Sequence, residues 1–166
     1  MLLLVRSLQP EGKYTILGWS FGGLLAFEIA MQLTKEGAEI NKLILLDSFF
    51  SLRDADRYLP EEYVELTRKT LNYRYEKQFT SVGFEIVLFK ARKEFHDIDV
   101  IADIEVSEKE IFKGYVKHYL ETEYNGIDKL FVNGLNQVKD HIVVVDVETH
   151  HNNVPYAIAG DIINYV

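Results

Sequence analysis

One run constrains this chain more than any other: Gly18-Trp19-Ser20-Phe21-Gly22, because of what stands on either side of it. Tyr14-Thr15-Ile16-Leu17 leads in as an apolar strand. Residues 23–31, Gly-Leu-Leu-Ala-Phe-Glu-Ile-Ala-Met, lead out with the spacing of a small-residue helix. A strand that turns into a helix over so few residues leaves no room for a Cβ two positions either side of the serine, a steric task assigned to Gly18 and Gly22. The turn lifts Ser20 Oγ above the sheet edge. It also sets a helix N-terminus beneath the hydroxyl, where dipole and free N–H groups favour developing negative charge.

The rest of the chain alternates between strand and helix patterns. Residues 2–8 read as a helix stopped by Pro10-Glu11-Gly12, and the helix after Ser20 runs to about Lys35 with Gly37 as its C-cap. Residues 42–46 form an apolar run ending in Asp47, suited to a strand buried on both faces of a parallel sheet. Residues 51–79 are charged and tyrosine-rich with helical spacing, and residues 84–89 read as a third strand. Ser107 with Glu110 forms a capping box for a helix to about Tyr124. Residues 141–147 are the last strand, and residues 156–165 a closing helix. This order predicts an α/β fold, a mostly parallel sheet with helices on both faces.

Composition removes several alternatives. The net charge of −8 argues against nucleic acid or an anionic membrane as partner. The absence of cysteine excludes a disulfide framework, a thiolate metal site and a cysteine nucleophile. The apolar start, Met1 to Val5, is too short for a signal sequence or a membrane span, so the cytoplasm is the expected compartment.

A serine hydroxyl at such a turn needs a base. His118 lies in a helix pattern and His141 opens a strand, and both read as structural. His150 and His151 follow the last apolar strand, where parallel sheets place ligand-facing groups. The acid has three candidates: Asp47 after the second strand, and Asp97 or Asp99 after the third.

The G-x-S-x-G turn resembles the nucleophile elbow of α/β-hydrolases, whose triad runs serine, acid, histidine along the chain. Residues 8–30, with Leu8-Gln9-Pro10-Glu11-Gly12, Tyr14, Gly18-Trp19-Ser20-Phe21-Gly22-Gly23 and Ala26-Phe27-Glu28-Ile29-Ala30, followed by Leu45-Leu46-Asp47-Ser48, resemble the thioesterase domains that end nonribosomal peptide synthetases. The resemblance implies an α/β-hydrolase-like fold with a short helical lid at residues 51–79. Asp47 is then the acid, with Asp97 and Asp99 as alternatives, and the Phe21 N–H is an oxyanion donor. Placing Val154 on the apolar residue after the family histidine selects His150, with His151 one residue away as the alternative. Family members carry strands before the elbow that the 19 residues preceding Ser20 do not hold, so an N-terminally incomplete domain over residues 1–166 is expected.

The implied activity is acyl transfer from a thioester. His150 takes the Ser20 proton, Asp47 orients the imidazole, and Ser20 attacks a phosphopantetheine-bound acyl or peptidyl chain, released by hydrolysis or macrocyclisation. No metal or held cofactor is needed, and the expected partner is a peptidyl or acyl carrier protein domain. Alternatives are a free-standing editing thioesterase or carboxylesterase with the same triad, and a non-catalytic hydrolase-fold remnant that binds a carrier domain. The strand at residues 14–17 is apolar on both faces. Left as an edge, it invites self-association or a local cover.

Overall fold

The structure is a computed structural model and describes residues 2–50, 79–93, 120–131 and 140–165. Among the described residues four strands form one sheet in the order of the chain: β1 (Tyr14–Trp19), β2 (Ile40–Leu46), β3 (Glu85–Ala91) and β4 (Ile142–Val147). Each neighbouring pair is parallel. The mostly parallel sheet expected from the strand–helix alternation is therefore present, with every described pair parallel. The strand ends differ from those read in the sequence by one to two residues.

Period-two alternation sorts the strand side chains between two cores. Leu43, Leu45, Ile86 and Leu88 face one side, with Phe27, Ala30 and Leu33 of helix α2 (Phe21–Lys35) packed against them. Ile44, Leu46, Val87 and Phe89 face the other, against Val154 and Ile158 at the chain's end. Val154 belongs to the short helix α3 (Val154–Ala157). Helix α1 (Leu2–Leu8) sits where its pattern predicts, tied to the end of α2 by a 2.8 Å Arg6–Glu36 ion pair.

Helix α2 stops through a Schellman-type end. Gly37 takes φ 82°, its N–H bonds Thr34 O at 3.0 Å, and the Ala38 N–H bonds Leu33 O at 2.9 Å. The closing helix expected over residues 156–165 is broken instead. α3 gives way to turns around Gly160 and then to a 3₁₀ turn at Ile162–Asn164. Gly160, two β-branched isoleucines and Asn164 are all poor at propagating a helix, which accounts for the break.

Among the described residues β1 is an edge strand, with Leu17 47 % exposed. The lid expected at residues 51–79 falls outside the described residues except for Phe79, and so do Ser107, Glu110, Asp97, Asp99, His96 and His118. Among the described residues no helix is long and apolar enough to cross a membrane.

Candidate active site

All four strands point their carboxyl ends the same way, and the candidate residues gather there. Ser20 follows β1 directly and caps α2 with φ 52° and ψ −126°, a conformation that costs a non-glycine residue about 1–3 kcal/mol. Its N–H bonds Leu46 O at 3.0 Å, carrying the β1–β2 ladder one residue into the turn. Its hydroxyl caps no helical N–H. Phe21 opens α2, so its N–H belongs to the first turn, where a helix has no acceptor of its own.

The glycines divide the steric work differently from the sequence reading. A Cβ on Gly18 would lie 2.4 Å from Gly22 O, so this position is closed to side chains as expected. A Cβ on Gly22 meets nothing within 4 Å. The second closed position is Gly23, whose Cβ would fall 1.8 Å from Ser48 Oγ. The close approach is between α2 and the end of β2, one residue further along than the motif suggests. Ser48, fully buried there, donates its hydroxyl to Gly18 O at 3.2 Å and so ties β2 to the elbow.

Asp47 ends β2 and also has a positive φ, 45°. Its N–H bonds Phe89 O at 2.7 Å, which turns its side chain inward under the neighbouring strand end. The carboxylate is fully buried, a costly place for a charge without hydrogen-bond donors. Donors surround it: the Ala91 N–H reaches Oδ1 at 3.0 Å, Asn125 Nδ2 reaches Oδ1 at 3.3 Å, and the His151 ring meets Oδ2 at 2.8 Å.

The imidazole between Ser20 and Asp47 belongs to His151, not to His150. His151 Nε2 lies 2.9 Å from Ser20 Oγ, and Nδ1 lies 2.8 Å from Asp47 Oδ2. A carboxylate only accepts, so Nδ1 carries the proton and Nε2 faces the serine hydroxyl as acceptor. His150 takes the extended conformation that caps the 3₁₀ turn His151–Asn153. The alternative left open one residue along is thus the one that the geometry joins to Ser20. Trp19, just before Ser20, stacks on the His151 ring.

A second layer lies behind Asp47. Asn125 is buried in the left-handed region at φ 51°, and its Oδ1 accepts a 2.6 Å hydrogen bond from Lys90 Nζ. Lys90 shares the inward face of β3 with Ile86 and Leu88 and is itself fully buried. Burial pulls its pKa down from 10.5 to about 8, and the nearby Arg92 acts the same way, while Asp47 and Asp146 oppose the shift. Neither Lys90 nor Asn125 was singled out from sequence. A lysine on the apolar face of a buried strand was the signal available.

The model of the thioesterase domain family matches residues 1–125. A relative in Amycolatopsis lactamdurans, N-(5-amino-5-carboxypentanoyl)-L-cysteinyl-D-valine synthase, is 32 % identical over 154 residues, or 89 % of this chain. Bacitracin synthase 3 of Bacillus licheniformis is 38 % identical over 68 residues, 40 % of the chain. This chain spans only 4 % and 1 % of the lengths of those two proteins. Among solved structures, the thioesterase domain that cyclises the lipopeptide antibiotic surfactin superposes with a TM-score of 0.53 at 19 % identity, covering 99 % of this chain and 71 % of that one. That likeness shows the fold, an α/β-hydrolase. With the family model covering three quarters of its length, the chain belongs to the thioesterase domain family.

Proposed function

We propose that this chain carries a serine hydrolase site that releases an acyl or peptidyl group from a thioester. The observation that carries the reading is the line of hydrogen bonds from Asp47 through His151 to Ser20, built on a strained strand–helix turn. In this reading His151 Nε2 takes the hydroxyl proton as Ser20 Oγ attacks the thioester carbonyl. Asp47 holds the imidazole in the required tautomer and stabilises the imidazolium that forms. The Phe21 N–H, at the positive end of α2, donates to the oxyanion. His151 then returns the proton to the departing thiol, leaving an acyl-O-Ser20 ester. Water hydrolyses the ester, or a hydroxyl or amine of the same chain closes a ring.

Similarity to two multi-enzyme peptide synthases supports a phosphopantetheine-bearing carrier domain as the source of the thioester. The tyrosine-rich segment 51–79 is proposed as the lid over the acyl chain on its sequence alone. A non-catalytic role as a carrier-binding remnant gives no reason for a buried carboxylate, an imidazole and a hydroxyl in hydrogen-bond line.

The test is labelling with a fluorophosphonate, followed by turnover of acyl-pantetheine thioesters. Wild type should label at Ser20 and Ser20→Ala should not. Asp47→Asn should label far more slowly while keeping its melting temperature within a few degrees. A wild-type protein that is folded yet inert to the probe would sink the reading.

A further inference from the structure

Lys90 is out of place by every packing rule that governs its strand. Ile86 and Leu88 precede it on the same face of β3 and both are fully buried in apolar surroundings. An alkyl side chain there would avoid the cost of taking an ammonium out of water. The residues around it show what the ammonium does instead. Its Nζ donates to Asn125 Oδ1, and Asn125 Nδ2 donates in turn to Asp47 Oδ1.

We propose that Lys90 is a positioning residue for the Ser20 site: through Asn125 it fixes the donor that holds the Asp47 carboxylate against His151. The inference rests on the Ser20–His151–Asp47 reading above and extends it by two residues.

What Lys90 controls is the orientation of an amide. The two ends of an asparagine side chain are nearly the same size, so packing alone does not choose between them. Lysine offers only donors and a carboxylate only acceptors. With Lys90 on one side and Asp47 on the other, one amide orientation makes two good hydrogen bonds. The flipped orientation sets oxygen against carboxylate and N–H against ammonium. Take away the ammonium and half of that discrimination is gone. The backbone of Asn125 is also fixed in place, since its carbonyl accepts the Phe50 N–H at 2.8 Å. Among the described residues the charged groups facing Lys90 are Asp47 at the end of β2, Arg92 just past β3 and Asp146 on β4. Lys90 thus reads as the outer end of a relay of orientation, Lys90 to Asn125 to Asp47 to His151 to Ser20.

The consequence can be read on a reactive serine. An Asp47 that has lost its amide donor and the cation behind it holds a protonated imidazole more tightly. The acid limb of the pH profile should then move to higher pH, because more alkaline solution is needed to free the base. The plateau rate should fall because the carboxylate is less well placed. A lysine that only filled space would alter the melting temperature and leave the limb where it was.

The experiment is the rate of fluorophosphonate labelling of the full chain against pH, with melting temperatures in parallel, for wild type, Lys90→Met, Asn125→Ala and the double variant. Each single variant should label about tenfold more slowly at the plateau, short of the roughly hundredfold loss that a 1 Å misplacement can cause. Each should shift the acid limb upward by about half a pH unit. The double variant should be no slower than the slower single one, because both act along one path. A Lys90→Met profile that coincides with wild type would overturn the inference, as would single effects that multiply in the double. Should Lys90→Met fail to fold, Lys90→Gln takes its place in the cycle, and an Asn125→Ala profile that coincides with wild type would overturn the inference by itself. No labelling of folded wild type would instead remove the triad reading itself, and this inference with it.

Discussion

The indole of Trp19 lies over the imidazole of His151, with ring centroids 5.7 Å apart and planes 29° apart, and its Nε1–H reaches the His151 carbonyl at 3.4 Å. Trp19 therefore braces His151 twice, by stacking on its ring and by an indole N–H donated to its backbone carbonyl. Such stacking contributes about 0.5–1.5 kcal/mol beyond area burial. Trp19→Ala is expected to slow Ser20 labelling by about threefold to tenfold, and Trp19→Phe to recover most of it by restoring the stack. Equal rates for all three proteins would count against a bracing role.

The two adjacent histidines separate cleanly by substitution. His151→Ala should lower labelling by at least about 10³, the scale of losing the base in a triad. His150→Ala should leave the labelling rate within about twofold, the size of an ordinary change outside the reacting groups. The reverse result would mean that the turn at His151–Asn153 is set one residue differently in solution.

Gly22 and Gly23 should respond differently to a methyl group. Gly23→Ala drives a Cβ into Ser48 and is expected to cost about 1–3 kcal/mol, seen as a lower denaturant midpoint. Pairing it with Ser48→Gly should return part of the loss. Gly22→Ala enters open space inside a helix and should be neutral or stabilising by up to about 1 kcal/mol. Identical losses for both would contradict the placement of α2 against β2.

Lys90 also predicts a pH dependence of stability. Its folded pKa of about 8 lies below the 10.5 of an exposed lysine. Between those values the unfolded chain binds a proton that the folded chain does not, so this residue makes stability rise with pH across the window. Lys90→Met lacks that term. The stability of Lys90→Met relative to wild type should be constant below about pH 8 and decline steadily toward pH 10.5. A flat difference through that range, measured by chemical denaturation, would show that Lys90 keeps an ordinary pKa in the fold.

The β1 edge carries a prediction about association. With Leu17 half exposed along β1, an edge strand among the described residues, light scattering should show concentration-dependent self-association, weakened in Leu17→Lys. A monodisperse monomer over the whole concentration range would contradict it.

What could be read ahead of the structure was local. The strand–serine–helix run and the strand ending in Asp47 each carry their signal within a few residues, and both appear where the pattern puts them. The choice between His150 and His151 depends on backbone torsion after β4, which no side-chain pattern encodes. The closed glycine position depends on Ser48, 25 residues beyond Gly23 and brought there only by the crossover from α2 to β2. Asn125 lies 78 residues from Asp47, and its approach is a product of the whole sheet. Lys90 broke a readable rule, polarity on a buried strand face, and it marks where the second layer lies.

The hydroxyl, the carboxylate and the imidazole hang from β1, β2 and β4, while β3 between them lends the Ala91 amide. No part of the site is therefore confined to one hairpin or one helix. Ser20 then becomes a gauge of β4, one of the two terminal strands among the described residues: fraying of β4 alone would carry His151 away while Ser20 and Asp47 stay folded. In mild denaturant, labelling should fade before the far-ultraviolet helical signal does, with the hydroxyl left in place and chemically mute.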